Sequence, residues 1–277
     1  MSISEGNLPP LVTVIIPVYN RQATVGPTLM SVYENTHRPL EVIVVDDGSV
    51  DQSSEVVQEF IEQYSSDEFK IILKRQPNQG APAARNNGLR TCSGQYVQFL
   101  DSDDFIDSKK LATQLATMRE QNSDVCVCDF RVDYIGSNQQ SEIIRNENPL
   151  RKMINGGSVG CSTCLMTHRL ATAVNWTESL PNFQDIDYFL KIILLAQKIT
   201  YLPEALYFYQ IRDDISTISS VRKKSGAKVP YRQRMGSLLN DGILNNKYGA
   251  TLKKFSFGSY AYLLLCLKRC RQTLTGK

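Results

Sequence analysis

The chain has 277 residues, of which 42% are hydrophobic and 21% charged, and its formal net charge is +3. This composition excludes an intrinsically disordered chain and predicts one large globular domain or two small ones. Met1–Pro10 lacks the pattern of a signal peptide, and the apolar run Leu263–Leu267 is far shorter than the ~20 residues that cross a bilayer, so we expect a cytoplasmic protein.

Apolar, β-branched segments alternate with helical patterns in the first half of the chain. The predicted strands are Val12–Ile16, Glu41–Val45, Lys70–Leu73, Gln95–Leu100 and Asp124–Phe130. Helical spacing of apolar residues predicts helices at Pro27–Tyr33, Val56–Tyr64 and Leu111–Met118. Unbroken apolar strands are typical of sheets buried on both faces, and their alternation with helices predicts an α/β fold with a mostly parallel sheet.

In the second half of the chain, the pattern of apolar residues predicts a helix at Tyr188–Ala196, a strand at Ile199–Gln210 and a wholly helical region after Ser216. The charge also changes there. Residues 216–277 carry 13 Lys and Arg against one acidic residue, a net charge of +12, whereas residues 1–215 carry a net −9. We therefore expect a main domain at 1–215 and a basic helical extension at 216–277.

The basic extension has an apolar face bordered by cations, which leaves three interpretations open. It could pack on the acidic main domain, lie on an anionic membrane surface, or form a homodimer. Nothing in it resembles a base-reading element, so we expect no nucleic-acid partner.

Polar clusters follow three of the predicted strands. They are Pro17–Asn20, Asp46–Ser49 and Asp101–Asp104. Ligands bind outside the carboxyl ends of the strands in open α/β sheets, so the acidic side chains are expected to crowd one edge. A divalent cation would relieve their repulsion, and oxygen ligands favour Mg²⁺ or Mn²⁺. Taken singly, each cluster could also be a capped turn or an acidic helix N-terminus.

A further segment, Asn78–Asn86, lies between these clusters. Gly80 allows a tight turn, and Arg85 falls on the helical stretch that follows it. Arg85 could contact a nucleotide, or it could form an ion pair with one of the aspartates.

Together these segments resemble family 2 glycosyltransferases, which have the GT-A fold. The segments that carry the resemblance are Val14–Asn20, Val44–Ser49, Asn78–Asn86, Phe99–Asp104, Trp176–Leu180 and Gln184–Lys191. Six segments in this order are specific to the family, and they span about residues 10–215. The resemblance implies nucleotide-sugar binding at about residues 10–105 and an acceptor side at 106–215.

The resemblance implies a role for each matching residue. Asp101-Ser102-Asp103 is similar to the DxD motif of the family, in which Asp103 would ligate the metal and Asp101 would bind the ribose, or the metal through water. Asp185 falls at the position of the catalytic base, with Asp187 as the alternative. The other residues implied in donor binding are Pro17, Tyr19, Asn20, Asp46 or Asp47 at the base, Gly80, Arg85 and Ser102.

The resemblance further implies an inverting, metal-dependent transfer from a nucleoside diphosphate sugar, with UDP as the usual carrier. The acceptor would be a hydroxyl group of a glycan or of a lipid-linked molecule. Gln184 stands where the family usually has Glu, which removes a charge next to Asp185. The Gln-x-x-Arg-Trp motif of processive members is missing, so a single transfer is expected. Two alternatives remain, a weakened nucleotide-sugar-binding protein of this fold and a sugar-nucleotide pyrophosphorylase. A dehydrogenase is disfavoured because no Gly-x-Gly-x-x-Gly follows the first strand.

The cysteines show no framework spacing. Seven are present, an odd number, and Cys161 and Cys164 form a lone C-x-x-C without a second pair. We expect reduced thiols in the core rather than disulfides or a zinc site.

Overall fold

A computed structural model describes residues 9–149, 152, 159–180 and 184–212. The predicted helical extension at 216–277 lies outside the described residues, and the division of the chain at residue 215 stays a prediction. None of the helices in the described part is long and apolar enough to cross a membrane.

The described residues form nine strands and six α-helices. The strands are β1 Val12–Val18, β2 Leu40–Asp46, β3 Phe69–Arg75, β4 Tyr96–Phe99, β5 Phe105–Ile106, β6 Val125–Ile135, β7 Glu142–Ile144, β8 Cys164–Thr167 and β9 Ile199–Arg212. The helices are α1 Val25–Tyr33, α2 Ser53–Tyr64, α3 Ala81–Leu89, α4 Lys110–Gln121, α5 His168–Ala171 and α6 Gln184–Leu195, and a short 3₁₀ turn spans Cys161–Thr163.

All nine strands belong to one mixed sheet. Its order is β3-β2-β1-β4-β8-β6-β9-β5, with β7 paired to β6. The first four strands are parallel, as the sequence predicts. The rest mixes antiparallel pairs with the parallel pair β6–β9. The predicted α/β fold is confirmed for the described residues, with a parallel half followed by a mixed half.

The two faces of β1 meet different helices. Val14 and its alternate neighbours belong to the core that α1, α2 and α4 cover. Ile15 points the other way, toward α3. A Cβ at Gly88 of α3 would lie 2.5 Å from Ile15 Cγ2, so this helix can approach the strand so closely only with glycine there. The sheet is thus covered on both faces, and its functional groups are confined to its edges and strand ends.

Several elements differ from the sequence-based prediction. Helix α6 begins at Gln184, four residues before the predicted start at Tyr188, and its first turn therefore contains Asp185 and Asp187. Strands β5, β7 and β8 were not predicted, because they are only two to four residues long and carry little periodicity. The five cysteines within the described ranges are buried and free, so the prediction of core thiols is confirmed for them.

Candidate active site

The crevice at the carboxyl ends of β1 and β4 is where the strand order reverses. The chain passes from β1 to β2 on one side, and returns to place β4 on the other side of β1. Such a switch point is the usual ligand site of an open α/β sheet. The loops that follow β1, β2 and β4 therefore contain the residues to consider.

The loop after β1 is fastened to the loop after β2. Asn20 has a left-handed backbone with φ 51°. Its N–H donates to Ser49 Oγ at 3.0 Å, and its Oδ1 accepts from the N–H of Val50 at 3.0 Å. Pro17 is buried within β1, whereas Tyr19 is 45% exposed at the end of the strand. Tyr19 is thus the large apolar side chain that this loop leaves open to a ligand.

The carboxylates of Asp46, the last residue of β2, and of Asp47, which follows it, are buried and accept hydrogen bonds from the neighbouring backbone. Asp46 accepts from the N–H of Ser49 at 2.8 Å and from the hydroxyl of Ser54, and Arg75 Nε lies 3.6 Å from it. Because three groups of the protein already contact this carboxylate, its first role is to shape the turn before α2.

Asp47 holds the segment that leads into α3. Its Oδ1 accepts from Gln76 Nε2 at 2.8 Å and from the N–H of Gln79 at 2.9 Å, and its Oδ2 accepts from the N–H of Gly80 at 2.7 Å. Gly80 has φ 90°, a conformation that favours glycine, and it is the N-cap residue of α3. Asp47 and Gly80 therefore together set the position of the N-terminus of α3, the helix that contains Arg85.

Arg85 lies at the centre of the site. Its Nη2 donates to Asp101 Oδ1 at 2.6 Å, and its guanidinium lies 4.4 Å from the ring centroid of Trp176. Burial lowers the pKa of Arg85, but the charges of Asp101 and Asp185 and the Cys161 thiol outweigh this effect and raise it overall. The Nε atom is buried and has no hydrogen-bond partner. Arg85 thus pairs with Asp101, as the sequence allowed.

Asp103 pairs with a cation from the other side of the crevice. Arg21 Nε, in the loop after β1, lies 3.4 Å from Asp103 Oδ2. Burial and the neighbouring charge of Asp101 raise the pKa of Asp103, and Arg21 offsets part of this rise. The two carboxylates of the DxD-like segment are therefore close neighbours, one beside Arg85 of α3 and the other beside Arg21 of the loop after β1. Ser102, between them, is buried.

The expectation that all the strand-end carboxylates crowd one edge is wrong for Asp104. This side chain turns into the core, where it accepts from the hydroxyl of Tyr207 and from the N–H of Gln210 at 3.2 Å. Its pKa is raised well above the usual value, first by burial and then by the charges of Asp103 and Asp101. With Asp46 and Asp47 also held by protein donors, Asp101 and Asp103 are the acidic pair that remains at the crevice.

The first turn of α6 brings Asp185, but not Asp187, to this cluster. Burial and Asp101 dominate the pKa values of Arg85 and Cys161, and the charge of Asp185 adds a smaller rise to both. Asp187 instead accepts from Thr177 Oγ1 at 2.7 Å and lies 3.0 Å from Lys191 Nζ, in a pair whose side chains are both about 90% buried. Asp187 is therefore occupied in an ion pair, whereas Asp185 is the α6 carboxylate whose charge is felt by Arg85.

The donor set at the crevice fits a hard divalent cation in part. No three His, Cys, Asp or Glu side chains of the described residues gather into a metal-binding group. Mg²⁺, however, is usually bound by one or two carboxylates together with substrate phosphates and water. Asp101 and Asp103 would supply those carboxylates, and a diphosphate would supply the remaining charge.

Two residues of this site were missed in the sequence. Arg21 directly follows the motif after β1, and its position at a strand end was the signal available for it. Cys161 Sγ lies 3.4 Å from Asp101 Oδ2, although 60 residues separate them in the chain. No spacing rule connects two such positions, so only the tertiary structure could reveal this contact.

Known proteins resemble this chain in sequence. It is 31% identical to glycosyltransferase GlyA of Streptococcus pneumoniae over 218 residues, which are 73% of this chain and 30% of GlyA. It is 29% identical over 185 residues, 67% of this chain and 70% of the relative, to the Escherichia coli enzyme WfgD, a UDP-Glc:alpha-D-GlcNAc-diphosphoundecaprenol beta-1,3-glucosyltransferase. The chain thus spans less than a third of the length of GlyA.

The fold and the family model agree with these relatives. The crystal structure of S. aureus TarS 1–349 in complex with UDP matches with a TM-score of 0.61 and 25% identity, over 72% of this chain and 60% of that one. This likeness confirms the GT-A fold for the described residues. The model of glycosyl transferase family 2 matches residues 13–172, more than half of the chain. The chain therefore belongs to glycosyl transferase family 2.

Proposed function

We propose that this protein transfers one sugar from a UDP-sugar to a hydroxyl group of a glycan or lipid-linked acceptor, with inversion at the anomeric carbon. The observation that carries the proposal is the charge cluster at the switch point. Two carboxylates, Asp101 and Asp103, each lie beside an arginine, and Asp185 acts on the same Arg85 from another element. The transfer needs cationic groups near the diphosphate leaving group and a carboxylate near the acceptor hydroxyl.

Asp185 is proposed as the general base. It takes the proton of the acceptor hydroxyl while the hydroxyl oxygen attacks the anomeric carbon of the donor. The bond from that carbon to the diphosphate oxygen breaks in the same step, and the nucleoside diphosphate leaves with the electron pair. One displacement with no covalent intermediate inverts the anomeric configuration. Asp187 is the weaker candidate because its carboxylate is tied to Lys191 and Thr177.

The donor is proposed to lie along the loops after β1 and β2, which are hydrogen-bonded to each other. Tyr19, exposed at the end of β1, would stack on the base, with Pro17 and Asn20 behind it. Asp46 or Asp47 would contact the base only at its edge, since these residues are 1% and 2% exposed. Arg85, whose buried Nε lacks a hydrogen-bond partner, would donate to the diphosphate in a charge-assisted contact.

Mn²⁺ or Mg²⁺ is proposed to bind at Asp103, with Asp101 on the ribose or on water of the metal. The cation would offset the negative charge that develops on the leaving diphosphate. Within the described residues, Asp101 and Asp103 have the oxygen ligands and the 35% and 20% side-chain exposures that such a role needs.

The relatives favour the same substrate classes. UDP is bound in the TarS structure, and UDP-Glc and a diphosphoundecaprenol-linked sugar appear in the name of WfgD. We extend these classes, not the individual sugars, to this chain.

A donor panel tests the proposal. Purified protein would be incubated with UDP-, GDP- and dTDP-sugars, with MnCl₂ or with EDTA, and release of the nucleoside diphosphate would be measured. We expect release from at least one UDP-sugar, increased by a hydroxyl acceptor and abolished by EDTA. Binding of UDP without any turnover would favour the nucleotide-sugar-binding alternative, and formation of a UDP-sugar from UTP and a sugar phosphate would favour a pyrophosphorylase.

A further inference from the structure

A buried amino group lies at the centre of a polar network behind the acidic pair. Lys110, in the first turn of α4, is 0% exposed. Its Nζ donates to Gln114 Oε1 at 2.6 Å and to Gln98 Oε1. Both glutamines are also fully buried. Burying a lysine is costly unless its donors are satisfied, so a network of this kind is expected to serve a purpose beyond filling the core.

The amide groups of the two glutamines fix the backbone of the 3₁₀ turn Cys161–Thr163. Gln98 Nε2 donates to the carbonyl of Ser162 at 3.1 Å and to the carbonyl of Phe99. Gln114 Nε2 donates to the carbonyl of Thr163 at 2.9 Å. Through these two amides, Lys110 is linked to the backbone of the turn.

The same network also holds the strand that delivers Asp101. Gln98 lies in β4, which ends at Phe99, and Asp101 follows two residues later. The 3₁₀ turn contains Cys161, whose thiol donates to Asp101 Oδ2 at 3.4 Å. Asp101 Oδ1 already accepts from Arg85. The carboxylate is thus held through both oxygens, one by a cation and one by the turn.

We propose that Lys110 and Cys161 are positioning residues for Asp101. Lys110, through Gln98 and Gln114, sets the distance between β4 and the turn, and the Cys161 thiol fixes the rotation of the Asp101 carboxylate in the crevice. The inference deepens the proposed function, on which it rests for the role of Asp101 in donor binding. Neither residue touches the donor, and both act through Asp101.

Four variants distinguish a positioning role of Lys110 and Cys161 from an effect on the stability of the fold alone. Lys110→Met keeps the length of the side chain but removes the donors to both glutamines. Cys161→Ala removes the donor to Asp101, whereas Cys161→Ser retains one. The control is Leu115→Ala, because Leu115 is a buried core residue of the same helix α4 that takes no part in the network. It should lower the melting temperature without moving Asp101.

The first readout needs no ligand. Trp176 is the only tryptophan of the chain, and its ring lies 4.4 Å from the Arg85 guanidinium that pairs with Asp101. In protein labelled with 5-fluorotryptophan, the single ¹⁹F resonance therefore reports on this cluster. We expect a shifted or doubled resonance in Lys110→Met and Cys161→Ala, and the wild-type resonance in Cys161→Ser and Leu115→Ala.

The second readout is the dissociation constant for UDP with MnCl₂, measured by calorimetry below the melting temperature of every variant. Lys110→Met and Cys161→Ala should bind UDP about tenfold more weakly, because a displaced Asp101 would lose its hydrogen bond to the donor and a charged hydrogen bond is worth about one decade of affinity. The dissociation constants of Cys161→Ser and Leu115→Ala for UDP should lie within about twofold of the wild-type value, because in both variants Asp101 keeps its position.

The outcomes are distinct for the two proposals. Wild-type ¹⁹F resonances and UDP affinity in Lys110→Met and Cys161→Ala would overturn the positioning roles, whatever happens to their melting temperatures. A wild-type protein that binds no UDP, while the ¹⁹F shifts appear as expected, would contradict the proposed donor and leave the positioning roles supported. If Lys110→Met does not fold, the comparison of Cys161→Ala with Cys161→Ser decides.

Discussion

Replacing Asp185 by Asn should stop sugar transfer while leaving the protein folded. Asparagine has nearly the same shape but cannot accept the proton of the acceptor hydroxyl. Loss of a general base typically lowers the rate by a factor of about 10²–10⁴. Since Asp185 lies in the first turn of α6 and is only partly buried, the substitution should change the melting temperature little.

Asp187 provides a matched control two residues further along the same helix. Its carboxylate lies 3.0 Å from Lys191 Nζ, and the two side chains are 11% and 8% exposed. Asp187→Asn replaces the carboxylate of this buried ion pair by a neutral amide, which should cost about 1–3 kcal/mol. At 2–4 °C per kcal/mol for a domain of this size, the melting temperature should fall by roughly 2–12 °C. The rate per folded molecule should stay close to that of the wild type.

The assay combines turnover with stability. Transfer from the best UDP-sugar of the donor panel would be measured under saturating MnCl₂, together with calorimetric binding of UDP and a thermal melt. Asp185→Asn should bind UDP normally, turn over at least 100-fold more slowly and melt like the wild type. The opposite pattern, a folded but inactive Asp187→Asn beside an active Asp185→Asn, would refute the assignment of the base.

Three further predictions concern other parts of the chain. Asp103→Asn should abolish the dependence of donor hydrolysis on MnCl₂ together with the activity, while the melt changes little, and full activity of this variant or of wild type in EDTA would contradict the metal assignment. Asp47→Asn turns an amide donor toward the partly buried N–H of Gly80 and should cost about 1–3 kcal/mol in urea unfolding, because this N–H loses its charged acceptor. Unchanged stability would show that Asp47 does not hold this segment. For the basic extension, sedimentation of the full chain with anionic liposomes but not neutral ones, in low salt only, is expected if it lies on a membrane, and a chain ending at Ile215 should stay in the supernatant. Equal recovery with both liposome types would exclude the membrane interpretation.

Much of the candidate site could be predicted from local sequence. The apolar run of β1 and the acidic turns after β2 and β4 mark strand ends, and the carboxyl ends of parallel strands share one edge of a sheet. Arg85 could be placed near Asp101 for the same reason, since α3 begins at that edge. The alternative that Arg85 pairs with an aspartate is confirmed by the 2.6 Å contact.

The direction in which each carboxylate points could not be predicted. Asp103 and Asp104 are adjacent in the sequence, yet one faces the crevice and the other the core. Asp104 turns inward because β5 pairs with β9, which brings the Tyr207 hydroxyl to it from 103 residues away. A pairing between such short and distant segments leaves no periodic pattern in the chain.

The sequence by itself therefore determined the family, the parallel half of the sheet and the set of polar residues at its edge, because these follow from short-range patterns of apolar and turn-forming residues. Only the tertiary structure decided which of these residues work together. It separated Asp185 from Asp187 through the Lys191 ion pair, and it brought Arg21 to Asp103 across the crevice. It also brought Cys161, on a turn that accepts hydrogen bonds from two buried glutamines, to Asp101. These contacts join residues that lie on different elements or point in different directions from one helix, and their geometry is fixed by packing rather than by spacing along the chain.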